Sequence, residues 1–238
     1  MLQPQRLQRL LTTSYCGRDL WQVCQTPSTN QILWRRWQRG GRPGMAVVAT
    51  RQLAGQGQWG RPWHSDPGGL YLSLLLGETP DPQASLLTLG LTLAWSVAVA
   101  LETWQPTWQG LQVKWPNDLV WQGAKVGGLL VQTRSGSGSR PLAVGIGLNV
   151  NNQPPPPGLA LKAILGSRVD LTAVAAVVIG ALEQGFETWH NRGWSRVQHH
   201  YQAKLWTGTA MAQVNAAGLL EINGVTYAPG EFSLGYKG

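Results

Sequence analysis

Lys114-Trp115-Pro116-Asn117-Asp118-Leu119-Val120, followed by Lys125-Val126-Gly127-Gly128-Leu129-Leu130, is the stretch whose reading decides the fold. Proline has no N–H to give a sheet ladder, so the strand running from Leu111 to Trp115 stops or reaches a sheet edge at Pro116. Asn117 and Asp118 favour a turn, and apolar residues resume at Leu119-Val120-Trp121. Gln122-Gly123 reads as the hairpin turn, and Lys125 opens the next strand. Gly127-Gly128 strip two side chains from that strand. A glycine pair there implies that something lies against the bare backbone. Alone, the stretch also reads as a plain hairpin with an exposed lysine, so its weight depends on the rest of the chain.

Upstream, Met45 to Ala49 is a short buried strand. It leads into Gln52-Leu53-Ala54-Gly55-Gln56-Gly57-Gln58-Trp59-Gly60-Arg61-Pro62-Trp63. Gly55, Gly57 and Gly60 spell G-x-G-x-x-G, but a dinucleotide fold needs a helix directly after it. Pro62, Pro67, Gly68 and Gly69 follow instead, and the Rossmann reading is rejected. A glycine-rich loop can still wrap phosphate with bare N–H groups. Arg61 can add a cationic fork and Trp63 a flat face for a purine. An ordinary long loop is the plainer reading. Before it, Thr26-Pro27-Ser28-Thr29-Asn30 reads as a turn and helix N-cap. Ile32, Leu33, Trp34 and Trp37 give that helix an apolar side, and Gly40-Gly41 ends it. Residues 1–25 carry no strong periodicity.

Downstream, Gly69 to Leu76 is a buried strand ending at Gly77 and a Pro80-Asp81-Pro82 turn. A helix from Ala84 to about Glu102 should cover the sheet with Leu86, Leu87, Leu89, Leu93, Ala94 and Val97, and Trp104 and Trp108 pack at its end. The strand opened by Lys125 ends at Val131-Gln132, and Ser135-Gly136-Ser137-Gly138-Ser139 reads as a flexible hairpin tip. Leu142 to Val150 is a further strand, with Asn149 read as a strand-end turn residue. Pro154 to Pro157 is a stiff loop. A second long helix runs from Asp170 to about Trp189, capped by Asp170 or Thr172. His190, His199 and His200 make no metal site. From about Trp206, short alternating stretches separated by Gly218, Asn223-Gly224 and Pro229-Gly230 form a small β unit.

The 238 residues suit one domain of ordinary size with a small appendage. The net charge of +8 sits early: Arg6, Arg9, Arg18, Arg35, Arg36, Arg39, Arg42, Arg51 and Arg61 face only Asp19. Such a face suits nucleic acid or an acidic protein, or is simply solvated, the commoner case for a scattered pattern. Cys16 and Cys24 form neither a C-x-x-C pair nor a metal framework, consistent with a reduced cytoplasmic setting. The first 14 residues are basic and amphipathic, without the apolar core of a signal peptide. Leu86 to Leu101 is too short and too interrupted for a membrane span.

The opening stretch resembles the KWPND…K-x-G-G signature of biotin protein ligases. Two further segments resemble theirs: the loop Gly55, Gly57, Gly60, Arg61, Trp63 and the strand end Gly145-Ile146-Gly147-Leu148-Asn149. Gly230-Glu231-Phe232-Ser233-Leu234 is similar to the closing G-E-x-S-L. The likeness runs from about Thr26 to Leu234. It implies Ser28, Thr29, Asn30, Gln52, Gly55, Gln56, Gly57, Gln58, Lys125 and Gly128 as biotin-binding. It implies Gly60, Arg61, Trp63, Lys114, Asn117 and Asn149 as nucleotide-binding, Lys125 and Arg61 as catalytic, and Asp118 as a magnesium ligand. Lys125 would lie between the biotin carboxylate and the α-phosphate. Gln56 and Gln58 depart from the family, which carries arginine there, so looser retention of the reaction intermediate is expected.

The fold class this implies is α+β. A mixed sheet backed by helices, like that of class II synthetases, fills residues 1–205. A shortened barrel-like β domain fills 206–238. The expected activity is ATP-dependent ligation of biotin to a lysine of the biotin carboxyl carrier protein of acetyl-CoA carboxylase, with biotin and ATP as substrates and magnesium. A monomer or weak homodimer in the cytoplasm is expected. The segment before Thr26 has no room for the regulatory members' helix-turn-helix domain, so no nucleic-acid partner is expected, and the short Leu86 to Leu101 run implies no membrane partner. A lipoate or octanoate ligase or transferase, and a degenerate biotin binder, are the alternatives.

Overall fold

The computed structural model describes residues 2–79, 85–134, 140–208, 210–232 and 235. The expected Pro80-Asp81-Pro82 turn, the helix start at Ala84, the tip at Ser135 to Ser139, and Ser233-Leu234 lie outside the described residues.

Seven strands form one mixed sheet: β1 (Leu20–Thr26), β2 (Ala46–Gln52), β3 (Leu70–Thr79), β4 (Leu111–Lys114), β5 (Asp118–Trp121), β6 (Ala124–Thr133) and β7 (Arg140–Leu148). Their order is β1-β2-β3-β7-β6-β5-β4. Only β1 and β2 pair in parallel; the other neighbours are antiparallel. The β5–β6 turn falls at Gln122-Gly123, both with positive φ (51° and 85°), the geometry that glycine accommodates in a two-residue hairpin.

Alternate residues of each strand point to opposite faces. On one face, Ala46, Val48, Leu74, Val144 and Ile146 are buried beneath α3 (Leu86–Trp104) and α5 (Leu171–Arg192). Both helices are long and apolar enough by composition to cross a bilayer. Here their apolar residues pack into the sheet core and against each other. Asp170 caps α5, accepting the N–H groups of Thr172 and Ala173. Trp104 and Trp108 pack together beyond α3, ring centroids 5.5 Å apart. On the other face, Met45, Val47, Leu75 and Ala143 meet Leu33 and Trp34 of α2 (Thr29–Trp37).

The structure adds elements that periodicity did not reveal. α1 (Pro4–Leu10) and β1 lie within the first 26 residues. α4 (Leu161–Leu165) and α6 (Ser195–Lys204) flank α5. A buried carboxylate explains how the early segment is held. Glu183 of α5 accepts backbone N–H groups from Ser14 (2.6 Å), Tyr15 (3.1 Å) and Cys16 (2.8 Å).

The C-terminal unit is a small antiparallel meander of β8 (Ala212–Val214), β9 (Leu220–Ile222) and β10 (Val225–Tyr227). It is a separate sheet, yet Val214, Leu220 and Ile222 belong to the main apolar core. The Trp115 indole donates to Gly218 O at 2.9 Å, and Trp206 N donates to Val113 O at 2.9 Å. The unit is thereby fixed to the strand that enters the Lys114–Asp118 turn.

Candidate active site

A strip of small residues crosses the α2 face of the sheet. Ser73 pairs with Gly145, and Gly147 pairs with Gly128. Missing side chains there leave a hollow of about 220 Å³. Its rim comes from the start of α2, the Gly55–Trp63 loop, the Lys114–Asp118 turn and residues 230–232.

The closed end is neutral and densely hydrogen-bonded. Ser28 stands at the N-cap position of α2, as expected, but its side chain makes no capping bond. Gln52 Oε1 accepts from both the Thr29 N–H (2.9 Å) and the Thr29 hydroxyl (3.0 Å). Gln52 Nε2 donates to Ser65 Oγ at 3.0 Å. Ser73, fully buried, contacts Thr29 Oγ1 at 2.7 Å and Asn30 Oδ1. A Cβ on Gly145 would stand 2.7 Å from Asn30 Oδ1, so only glycine leaves room for that amide.

The other end is cationic. Lys125 Nζ lies 2.7 Å from Asp118 Oδ1 and 5.2 Å from the Trp63 ring centroid. The indole of Trp63 rests on the bare backbone of Gly147, where a Cβ would overlap it. Lys114 is buried, and its ammonium pKa is lowered. Burial is the main cause; Asp118 opposes it, while Lys125 and Arg61 add to it. Such shifted lysines cluster at functional sites. The loop holds its shape through Gln56, which bridges to Pro62, and Gly57 N, which donates to Arg61 O at 2.8 Å.

Of the residues expected from sequence, Ser28, Thr29, Asn30, Gln52, Gln56, Gly57, Gln58, Arg61, Trp63, Lys114, Asn117, Asp118, Lys125 and Gly128 line this one cavity. Gly55, Gly60 and Asn149 do not. The bare Gly55 backbone packs against Trp63 O, Gln52 and Ser65. Asn149 is buried behind Lys125, donating to Lys125 O at 3.4 Å and accepting from Asn152. Asn117 turns its amide to Leu129 O at 2.6 Å, bracing β6.

Sequence reading missed Ser73, Gln132, Trp34 and Trp59. Ser73 carried a signal, the single small polar residue inside the apolar run Leu70 to Leu76. Trp59, exposed and at φ 60°, lies against Gly230 at the cavity mouth. The closing motif thus reaches the site with Gly230, Glu231 and Phe232.

Among the described residues no group of three or more His, Cys, Asp or Glu could hold a metal ion. Magnesium needs only one or two carboxylates when phosphates provide its remaining ligands, and Asp118 fits that lesser role.

The profile of the Biotin/lipoate A/B protein ligase family matches residues 22–151. The chain is 30% identical over 193 residues to the bifunctional ligase/repressor BirA of Bacillus subtilis, covering 77% of this chain and 57% of that protein. It is 29% identical over 218 residues to the biotin–[acetyl-CoA-carboxylase] ligase of Mycobacterium tuberculosis, covering 87% and 79%. The chain spans 57% of the Bacillus relative's length and 34% of the Escherichia coli BirA. Its fold matches the biotin protein ligase from Aquifex aeolicus in complex with biotin and ATP, with a TM-score of 0.77 and 29% identity. That match covers 92% of this chain and all of the other. With more than half of its length matched by the family profile, the chain belongs to the Biotin/lipoate A/B protein ligase family.

Proposed function

We propose that the protein is an ATP-dependent biotin protein ligase acting on the lysine of a biotin carboxyl carrier domain. One observation carries the reading: a single cavity joins a neutral hydrogen-bonding end, at Thr29 and Asn30, to a cationic end at Lys125, Lys114 and Arg61. A polar uncharged bicyclic head with a carboxylate tail suits the first end, and nucleotide phosphates suit the second. The names of the Aquifex and Mycobacterium relatives support the same substrates.

In the first step, a biotin carboxylate oxygen attacks the α-phosphorus of ATP. A P–O bond forms, and pyrophosphate leaves. Two anions must meet, so a fixed cation lowers their repulsion and stabilises charge in the transition state. Lys125 is held for this role by Asp118 at 2.7 Å. Arg61 and Lys114 hold phosphate oxygens, and Trp63 offers the adenine a face. Asp118 would hold a magnesium ion brought with ATP, which would there neutralise phosphate charge. In the second step, the neutral ε-amine of the carrier lysine attacks the mixed anhydride. An amide forms, and AMP leaves. Pre-positioning both partners accounts for much of the rate.

Residues 1–205 form the catalytic unit and 206–238 an appended β unit that completes the cavity rim. The basic early face suits an acidic carrier. Two unpaired cysteines suit a reducing cytoplasm. A lipoate or octanoate ligase is disfavoured by the closed end, because an alkyl tail offers no hydrogen bond to the polar groups of Thr29, Asn30 and Gln52 that line it. A degenerate binder is disfavoured by Lys125 and Arg61. The test is biotin-dependent exchange of labelled pyrophosphate into ATP, with lipoate and octanoate in parallel. Exchange with biotin alone is expected. Exchange only with the fatty acids, or none, would overturn the reading.

A further inference from the structure

Four side chains at the closed end form one hydrogen-bond chain whose polarity is fixed by groups that can only donate. At one end the Thr29 backbone N–H donates to Gln52 at 2.9 Å, so the atom facing it must be the amide oxygen. At the other end the Trp34 indole N–H donates to Gln132 at 3.2 Å, so that atom is also an oxygen. The same oxygen of Gln132 accepts from Asn30 Nδ2 at 2.9 Å. Asn30 must then turn its oxygen, not its nitrogen, toward Ser73.

Between the oxygens of Gln52 and Asn30 stand only the hydroxyls of Thr29 and Ser73. Gln52 to Thr29 is 3.0 Å, Thr29 to Ser73 is 2.7 Å, and Ser73 to Asn30 closes the chain. These are three oxygen–oxygen contacts, and two hydroxyls hold two hydrogens. One contact is left without a proton. An acceptor-rich chain of this kind is relieved by a ligand that donates.

We infer that Gln132 is a positioning residue. Together with Trp34 it locks the Asn30 amide oxygen-inward and leaves the closed end one proton short, which selects acids whose buried head carries N–H groups. Gln132 does not line the cavity; it stands behind Asn30 on β6. The inference rests on the biotin reading above, whose ureido head offers two N–H donors.

The test is calorimetric binding to the full chain of biotin, of biotin methylated on both ureido nitrogens, and of octanoate, with the KM for ATP measured in pyrophosphate exchange. Gln132→Leu removes the acceptor and frees the Asn30 amide. It is expected to weaken biotin about tenfold or more while the KM for ATP holds. Gln132→Glu still accepts from both Asn30 and Trp34 and is expected to return biotin affinity to within about threefold of the parent. The methylated analogue and octanoate are expected not to bind measurably. Should Gln132→Leu fail to fold, Trp34→Phe removes the other fixed donor and is expected to weaken biotin as well. A parent that binds biotin alongside a Gln132→Leu protein of equal affinity overturns this inference alone. So does a Gln132→Glu protein no better than Gln132→Leu. A parent that binds no biotin overturns this inference and the functional reading together.

Discussion

The Lys125 ammonium lies 2.7 Å from the Asp118 carboxylate, and a Cβ on Gly128 would come within 2.9 Å of that same carboxylate oxygen. The bare strand that sequence suggested therefore leaves room for the ion pair itself. Gly128→Ala should turn Asp118 aside and leave Lys125 misplaced. The expected result is a fall of about tenfold to a hundredfold in kcat/KM for biotin in pyrophosphate exchange, with the thermal midpoint almost unmoved. Unchanged kinetics would show that the pair tolerates the methyl group.

Trp63 rests on Gly147 so closely that any side chain there would overlap the ring. The ring is rigid and its indole nitrogen is buried without a partner, so it must move as a whole. Gly147→Ala is expected to raise the KM for ATP about tenfold or more, measured at saturating biotin. A larger effect on biotin than on ATP would move Trp63 out of the nucleotide half.

Lys114 loses its proton below the ordinary lysine value of 10.5, chiefly because it is buried. Between its folded value and 10.5, the unfolded chain binds more protons, so this group adds stability as pH rises through that window. Phosphate binding follows the opposite sign, since neutral Lys114 no longer attracts an anion. The KM for ATP should therefore rise on an alkaline limb starting below pH 10.5. Lys114→Arg should remove that limb, because arginine stays charged.

Gln56 and Gln58 line the cavity without charge. Gln56→Arg and Gln58→Arg would add cations facing the adenylate. Each is expected to slow release of biotinyl-adenylate, by about fivefold to tenfold in a filter-binding chase. Equal release rates in parent and variants would remove these positions from intermediate retention.

Burial pushes the Glu183 carboxyl up, but the N–H groups of Cys16, Ser14 and Tyr15 together hold it below its model-peptide value of 4.5. Its contribution to stability is full above 4.5 and is lost as pH falls through the lower folded value. Glu183→Gln should cost about 2 kcal/mol at neutral pH and flatten the acid limb of a denaturation profile. A variant with the parent's acid limb would show that the early segment is held by other contacts.

Much of the frame was legible because it depends on short-range rules. Pro116 had to end a strand or mark an edge, Gln122-Gly123 had to turn it, and Asp170 or Thr172 had to cap a helix. The first 25 residues were not legible, since β1 is a strand only because β2 lies beside it, and Ser14 to Cys16 are ordered by Glu183 from 167 to 169 residues away. α6 buries only Val197 and Tyr201, one turn apart on a single face of an otherwise polar segment, too few to stand out as a stripe in the sequence.

The site divides in the same way. Lys125, Arg61 and the Thr29-Asn30 pair stood out because their residue types and local order resemble a known pattern. Sequence alone determined that these groups exist and what chemistry each can perform. Only the tertiary structure decided that Asn149 faces inward, that Gly128 makes room for an ion pair, and that Gln132 sets which way Asn30 points. Those outcomes depend on which atoms meet across β3, β7, β6 and α2, and the direction of a hydrogen bond is settled by its partner rather than by the residue that carries it.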